Sequence, residues 1–163
     1  MYEWSDEHLM LQQAMRDFIA KEILPIKEDL EHGDTRLHFI DTPGGPDFLG
    51  QSLPALEAVE TAAIVINAAI GVEPMAVRMM EYAASRHLDR IIIVNRIDAA
   101  GVDLAGVLQQ IRATFGNECL PLNLPDAGGT KVVDCFYNRE GHSDFGSVDA
   151  AHRALVEQVV EVD

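Results

Sequence analysis

Three short apolar runs, Leu37 to Ile40, Ala62 to Asn67 and Arg90 to Asn95, constrain this chain more than any other feature. The third is almost entirely β-branched. Unbroken apolar runs of this length read as buried strands rather than the alternating strands of a half-wet sheet. The segments between and after them change to helical spacing. Residues 51–60 read as a short helix, Pro74 to His87 as a longer one opened by its proline, and Leu104 to Phe115 as a third. On the second of these, Met75, Val77, Met79, Met80 and Tyr82 read as core. Alternating strands and helices predict an α/β fold with parallel strands joined by helical crossovers.

The flanking regions have a different character. Ser5 is a good N-cap, with Asp6 and Glu7 in the first turn, and Leu9, Leu11, Met15, Phe18, Ile19 and Ile23 follow near helical spacing up to Pro25. Gly33-Asp34 reads as a turn. After Phe115, Cys119 to Leu124 and Lys131 to Tyr137 look like two strands around the loop Pro125–Gly129, and Val148 to Val160 reads as a helix capped by Ser147. Its polar face carries acids such as Glu157 and Glu161.

Charge removes several classes of partner. Across 163 residues, 27 acids stand against 12 Lys and Arg, a formal net charge of -15. Such a surface repels nucleic-acid backbone and anionic lipid, so direct DNA binding and membrane binding are not expected. The apolar run from Ala62 to Val72 is interrupted by Asn67 and too short to span a bilayer, and the acidic start is no signal peptide. Two cysteines, Cys119 and Cys135, in separate predicted strands and outside any C-x-x-C pair, fit a reduced, cytoplasmic protein. The six histidines, at 8, 32, 38, 87, 142 and 152, are scattered and define no metal site.

Two motifs follow predicted strands: Asp41-Thr42-Pro43-Gly44 after the first and Asn95-Arg96-Ile97-Asp98 after the third. In an open parallel sheet, ligands bind outside the carboxyl ends of the strands, so both motifs would emerge on one edge. A carboxylate such as Asp41 can hold hydrated Mg²⁺, an ion that prefers oxygen ligands and keeps its waters. The Gly44 N–H can approach a phosphate closely because no Cβ intervenes. Asp98 offers two acceptors that match the neighbouring N–H donors of guanine and have no such match on adenine. Asn95 would tie loops together, and the Arg96 guanidinium could lie over a base. Taken singly, each motif has a plain structural reading: Asp-Thr-Pro-Gly is a turn, and the second motif is a strand exit with a helix cap. Gly141 to Ser147 has glycines at phosphate-loop spacing but no lysine, and it carries Asp144, so it is not taken as a phosphate loop.

From about Arg36 to Asp163 the chain resembles part of the GTP-binding domain of translation elongation factor G and its relatives. The stretch "DTPGGPDFLGQSLPALEAVETAAIVINAAIGVEPMAVRMMEYA" is similar to the family's run from its Mg²⁺ and γ-phosphate loop through the next strand and helix. "DRIIIVNRIDAAG" resembles the strand with the guanine-specificity motif, and "LPLNLP" and "RALVEQVVEVD" resemble the subdomain inserted after it. The resemblance implies that Asp41 assists Mg²⁺, that Thr42 and Gly44 meet nucleotide phosphates, and that Asn95, Arg96 and Asp98 recognise guanine. It implies GTP or GDP with Mg²⁺ as ligands and the ribosome as partner. Arg96 stands where the family has lysine, a change that keeps charge but not geometry. Residues 1–33, through "WSDEHLMLQQAMRDFIAKEILP", resemble the N-terminal helix of acyl-CoA dehydrogenases, a structural element that brings no flavin-contacting or catalytic residue.

Two departures decide what to expect. The family reads Asp-Thr-Pro-Gly-His, and its histidine orients the attacking water; here that position is Gly45, which can place no water. No G-x-x-x-x-G-K-[ST] phosphate loop occurs, and no stretch matches the strand before it, the first switch or the last guanine-contacting loop. The sequence therefore reads as a fusion: a helical segment at 1–35, a partial GTP-binding core at 36–116 and part of the insertion subdomain at 117–163. The expected fold is an incomplete P-loop GTPase-like parallel sheet of three strands, with flanking helices and a small β-rich extension. Guanine recognition is expected to be partly retained but weak, and hydrolysis lost. The alternatives are an intact GTP-binding translation factor module and a flavoprotein-derived helical segment with an inert partner. Exposed sheet edges predict self-association.

Overall fold

The structure, a computed structural model, describes residues 37–162. The chain divides into two compact units, Met1–Asp41 and Thr42–Asp163. The helix expected before Pro25, the turn at Gly33-Asp34 and the junction near residue 35 lie outside the described residues.

Leu37 to Ile40, expected as a strand, does not form one. These residues have no regular secondary structure, and Leu37, Phe39 and Ile40 are exposed. A parallel strand satisfies its backbone groups on a neighbour, and none pairs with Leu37 to Ile40 among the described residues.

The second unit opens with a 3₁₀ turn at Pro46–Phe48 leading into α1 (Leu49–Leu56). Then come β1 (Thr61–Asn67), α2 (Pro74–Ser85), β2 (Asp89–Asn95) and α3 (Leu104–Phe115). The chain continues through β3 (Asn123–Asp126) and β4 (Lys131–Asp134) to α4 (Val148–Val162). β1 and β2 pair in parallel, from Thr61 opposite Asp89 to Asn67 opposite Asn95, with α2 as the crossover. The parallel sheet thus has two strands among the described residues rather than the three expected. The α/β character, the parallel pairing and the flanking helices are as the sequence predicted. β3 and β4 form a separate antiparallel hairpin. Its strands are shorter than expected, so Cys119 precedes β3 and Cys135 follows β4.

Side chains alternate across β1: Ala62, Ile64 and Ile66 are buried, while Ala63 and Val65 are exposed. The buried face packs Ile66 against Val107 and Ile111 of α3, with Ala76 of α2 and Ile92, Val94 and Phe115 around them. On the other face Val65, Ile91 and Ile93 are open. The apolar runs predict buried strands; among the described residues only one face of the sheet has a helical layer. A second small core joins Leu124, Cys135, Val148 and Leu155, so α4 covers the hairpin. Glu57, just after α1, accepts hydrogen bonds from the Tyr82 hydroxyl and from Arg86, tying α1 to the end of α2. No helix among the described residues is long and apolar enough to cross a membrane.

Candidate functional site

The parallel register places two asparagines side by side at the carboxyl end of the sheet, Asn67 on β1 and Asn95 on β2. The Asn67 carbonyl accepts from Ile70 N and Gly71 N, and its Oδ1 accepts from Ala69 N at 3.0 Å. The Asn95 carbonyl accepts from Ala68 N at 2.9 Å, which stitches the two strand exits together. Asn95 Oδ1 accepts from Arg96 N at 2.9 Å. This bond holds Arg96 at φ +58°, in the left-handed region that non-glycine residues seldom occupy. Arg96 O then accepts from Ala99 N, closing a tight turn that leaves the Asp98 carboxylate exposed.

The turn runs on to Asp103, the N-cap of α3, whose Oδ1 accepts from Gly106 N at 3.0 Å. Beside it, an open groove of about 360 Å³ lies between Ala68–Gly71, Ala100–Val102 and the first turns of α3. Gln110 reaches across from α3, and its Oε1 accepts from Val72 N at 3.1 Å. Asn95 and Asp98 are therefore presented at the sheet edge where the sequence placed them.

The Asp41–Gly44 motif spans the boundary between the two units. Asp41 closes the first unit and is exposed. In the second unit, a Cβ on Gly44 would meet no atom within 4 Å, so its backbone is open to a close-approaching ligand. Gly45 is extended at φ -75°, ψ 146°, a conformation any residue can adopt. The segment is pinned by a residue that sequence reasoning missed: the buried Ser52 hydroxyl of α1 donates to Pro43 O at 2.8 Å. The available signal was a lone serine among apolar residues in a short helix. A single exposed carboxylate at Asp41 suits Mg²⁺ only as the ion is held with nucleotide phosphates and its own waters.

A third cluster lies around the hairpin. His142 Nδ1 is 2.7 Å from Asp126 Oδ1, and Asp144 Oδ2 accepts from Gly128 N at 2.8 Å. The hydrogen bond to His142 holds the Asp126 carboxyl below its ordinary range, and the same bond lifts the imidazole above its own. Asp126, His142 and Asp144 each bring a ligand atom within 4.8 Å of the others, and hydrogen bonds already engage them with the hairpin. Ser143 Oγ and Asp144 N both bond to Pro125 O. The glycine-bearing stretch Gly141 to Ser147 is thus a brace for the hairpin. Burial raises the thiols of Cys119 and Cys135, which leaves neither activated as a nucleophile.

Peptide chain release factor 3 of Symbiobacterium thermophilum is 30% identical over 112 residues, 69% of this chain and 21% of that protein. Peptide chain release factor 3 of Bordetella petrii is 31% identical over 107 residues, 66% of this chain and 20% of that protein. The chain therefore spans about a fifth of the length of the curated relatives it matches. A crystal structure of a Thermus thermophilus protein superposes with a TM-score of 0.64 at 29% identity, covering 76% of this chain and 21% of the other. The profile of the elongation factor Tu GTP binding domain matches residues 19–161, beginning inside the segment read as an N-terminal helix. By that match the chain belongs to the elongation factor Tu GTP-binding domain family, the G domains of translation factors.

Proposed function

We propose that this chain is a guanine-recognising portion of an elongation factor G-like translational GTPase domain that does not hydrolyse GTP. The observation that carries the reading is the paired strand exit, Asn67 beside Asn95, with the Asp98 carboxylate presented just beyond it. A carboxylate there accepts two hydrogen bonds from guanine and has no such match on adenine. Asn95 shapes the loop through Arg96 N, and Arg96 offers a guanidinium to the base. The resemblance assigns phosphate and Mg²⁺ contacts to Asp41, Thr42 and Gly44, and Mg²⁺ held with phosphate would neutralise its charge. Gly45 supplies no side chain to orient water. Few phosphate contacts remain, so affinity is weak.

The elongation factor G-like assignment rests on the hairpin and α4, which follow the guanine loop as the family's inserted subdomain does. The ribosome is the partner this assignment implies, and the cytoplasm the compartment. The acyl-CoA dehydrogenase-like reading of residues 1–33 carries no binding residue. The face of Val65, Ile91 and Ile93, open among the described residues and beside a β1 edge that has no strand partner among them, supports self-association.

The test is a calorimetric titration of the chain with GDP and a non-hydrolysable GTP analogue plus Mg²⁺, with adenine nucleotides as control. Guanine-selective binding weaker than micromolar, without phosphate release from GTP, is expected. Equal affinity for both bases, or no guanine binding at millimolar concentration, refutes the recognition claim. Phosphate release refutes the loss of hydrolysis.

A further inference from the structure

The β3–β4 turn lies against the guanine-recognition loop. Ala127, Gly128 and Gly129 are three successive residues at positive φ, +50°, +66° and +82°, which bend the hairpin tip sharply. The tip ends on Ile97 and Asp98. A Cβ on Gly129 would stand 2.6 Å from Ile97 O, 2.8 Å from Ile97 C and 2.9 Å from Asp98 N. No side chain fits there: the two backbones meet through the missing Cβ. Gly128, its neighbour, has the same kind of backbone conformation, but a Cβ on it would meet nothing within 4 Å.

We infer that Gly129 is a positioning residue for guanine recognition: the hairpin tip sets where the Ile97–Asp98 backbone sits and hence where the Asp98 carboxylate points. This inference rests on the guanine reading of Asp98. On its inner side the loop is held by Asn95 Oδ1 and by the Arg96 to Ala99 turn. On its outer side it is held by the hairpin, which is stiffened from behind. Gly129 N and Thr130 Oγ1 close the tip by donating to Asp126 O and Ala127 O. Asp144 takes Gly128 N, His142 pairs with Asp126, and Ser143 holds Pro125 O. Retreat of the tip from an added methyl group would break several bonds, so the methyl group displaces the Ile97–Asp98 backbone it meets. The hairpin belongs to the stretch that resembles the inserted subdomain, so that insertion acts on base recognition through one backbone contact.

The two glycines make a matched test. Gly129→Ala and Gly128→Ala both place an alanine at positive φ, as Ala127 already is, and only the first collides with the loop. Two readouts are taken on the full chain: backbone amide resonances of Ile97, Asp98 and Ala99 without nucleotide, and the ratio of GDP to ADP affinity. Gly129→Ala is expected to move those three amides and to lower the ratio about tenfold, the cost of misaligning a charge-assisted hydrogen bond. Gly128→Ala is expected to do neither. Unmoved amides in Gly129→Ala, equal shifts in both variants, or an unchanged affinity ratio overturns the inference. An unmodified chain with no guanine preference refutes the guanine reading and with it the recognition role of Gly129, whereas the amide shifts report separately whether the contact exists.

Discussion

Neighbouring residues on β1 should differ sharply in what they contribute. Ile66 is 2% exposed and packs on Val107 and Ile111, whereas Val65, on the opposite face, is 55% exposed. Truncating a buried isoleucine to alanine costs about 2–5 kcal/mol, from lost burial plus the cavity left behind. Ile66 sits where β1 meets α3, between elements that cannot close up without disturbing Ile92 and Val94. Its cost should therefore lie in the upper half of that range. Val65→Ala removes methyl groups already in contact with water and should cost within about 0.5 kcal/mol. Urea unfolding of both variants followed by circular dichroism gives the two values directly. The small cores make a loss of about 3 kcal/mol a large share of a typical domain's stability. Ile66→Ala should therefore unfold at a clearly lower urea concentration than the parent. Equal costs at the two positions refute the one-sided core. A cost of about 2 kcal/mol at Val65 that appears only at high protein concentration would show that this face is covered by a second copy.

Further expectations concern single groups. Asp103→Ala removes the side-chain cap of α3 and should cost about 1 kcal/mol, measured by the same unfolding assay, with Asp103→Ser recovering most of it. The His142–Asp126 pair should leave a pH signature. The raised His142 contribution is full below its ordinary value of 6.5 and lost as pH rises through the higher folded value. The lowered Asp126 contribution is full above 3.8 and lost as pH falls through its lower folded value. Stability should thus peak between those two values and His142→Ala should flatten the profile in thermal unfolding, while an unchanged profile rules the pair out. Gly45→His should fold as the parent does, because Gly45 is extended and its tightest Cβ neighbour is Phe48 Cδ2 at 3.2 Å, the edge of an exposed ring. An unfolding midpoint within error of the parent's checks this.

Much of the core was legible because its signals were local. The α3 helix runs over Leu104–Phe115 as its spacing predicted, and Ser147 Oγ accepts from Ala150 N at the start of α4 as a cap should. β1 and β2 follow from their β-branched runs. The misses have one cause: they depend on what lies beside a segment. Leu37 to Ile40 has strand composition but no strand partner among the described residues. Ile91 and Ile93 read as buried, yet only their neighbours Ile92 and Val94 face a helical layer. At the candidate site, the position of Asn95 to Asp98 at the strand exit was readable from their order after an apolar run. The pinning of Pro43 by Ser52 and the contact of Gly129 with Ile97 were not, because each joins residues whose proximity only the folded chain creates. The Gly128-Gly129 pair signalled a tight turn and nothing about what the turn touches.

The central claim is that Asp98 reads guanine. The direct measurement is the ratio of GDP to ADP affinity in the parent chain and in Asp98→Asn, an isosteric change that removes the charge and one of the two acceptors. A guanine preference in the parent that falls tenfold or more in the variant is expected, the equivalent of about 1.4 kcal/mol or more. A ratio that is the same in both proteins, or a parent chain indifferent to the base, contradicts it.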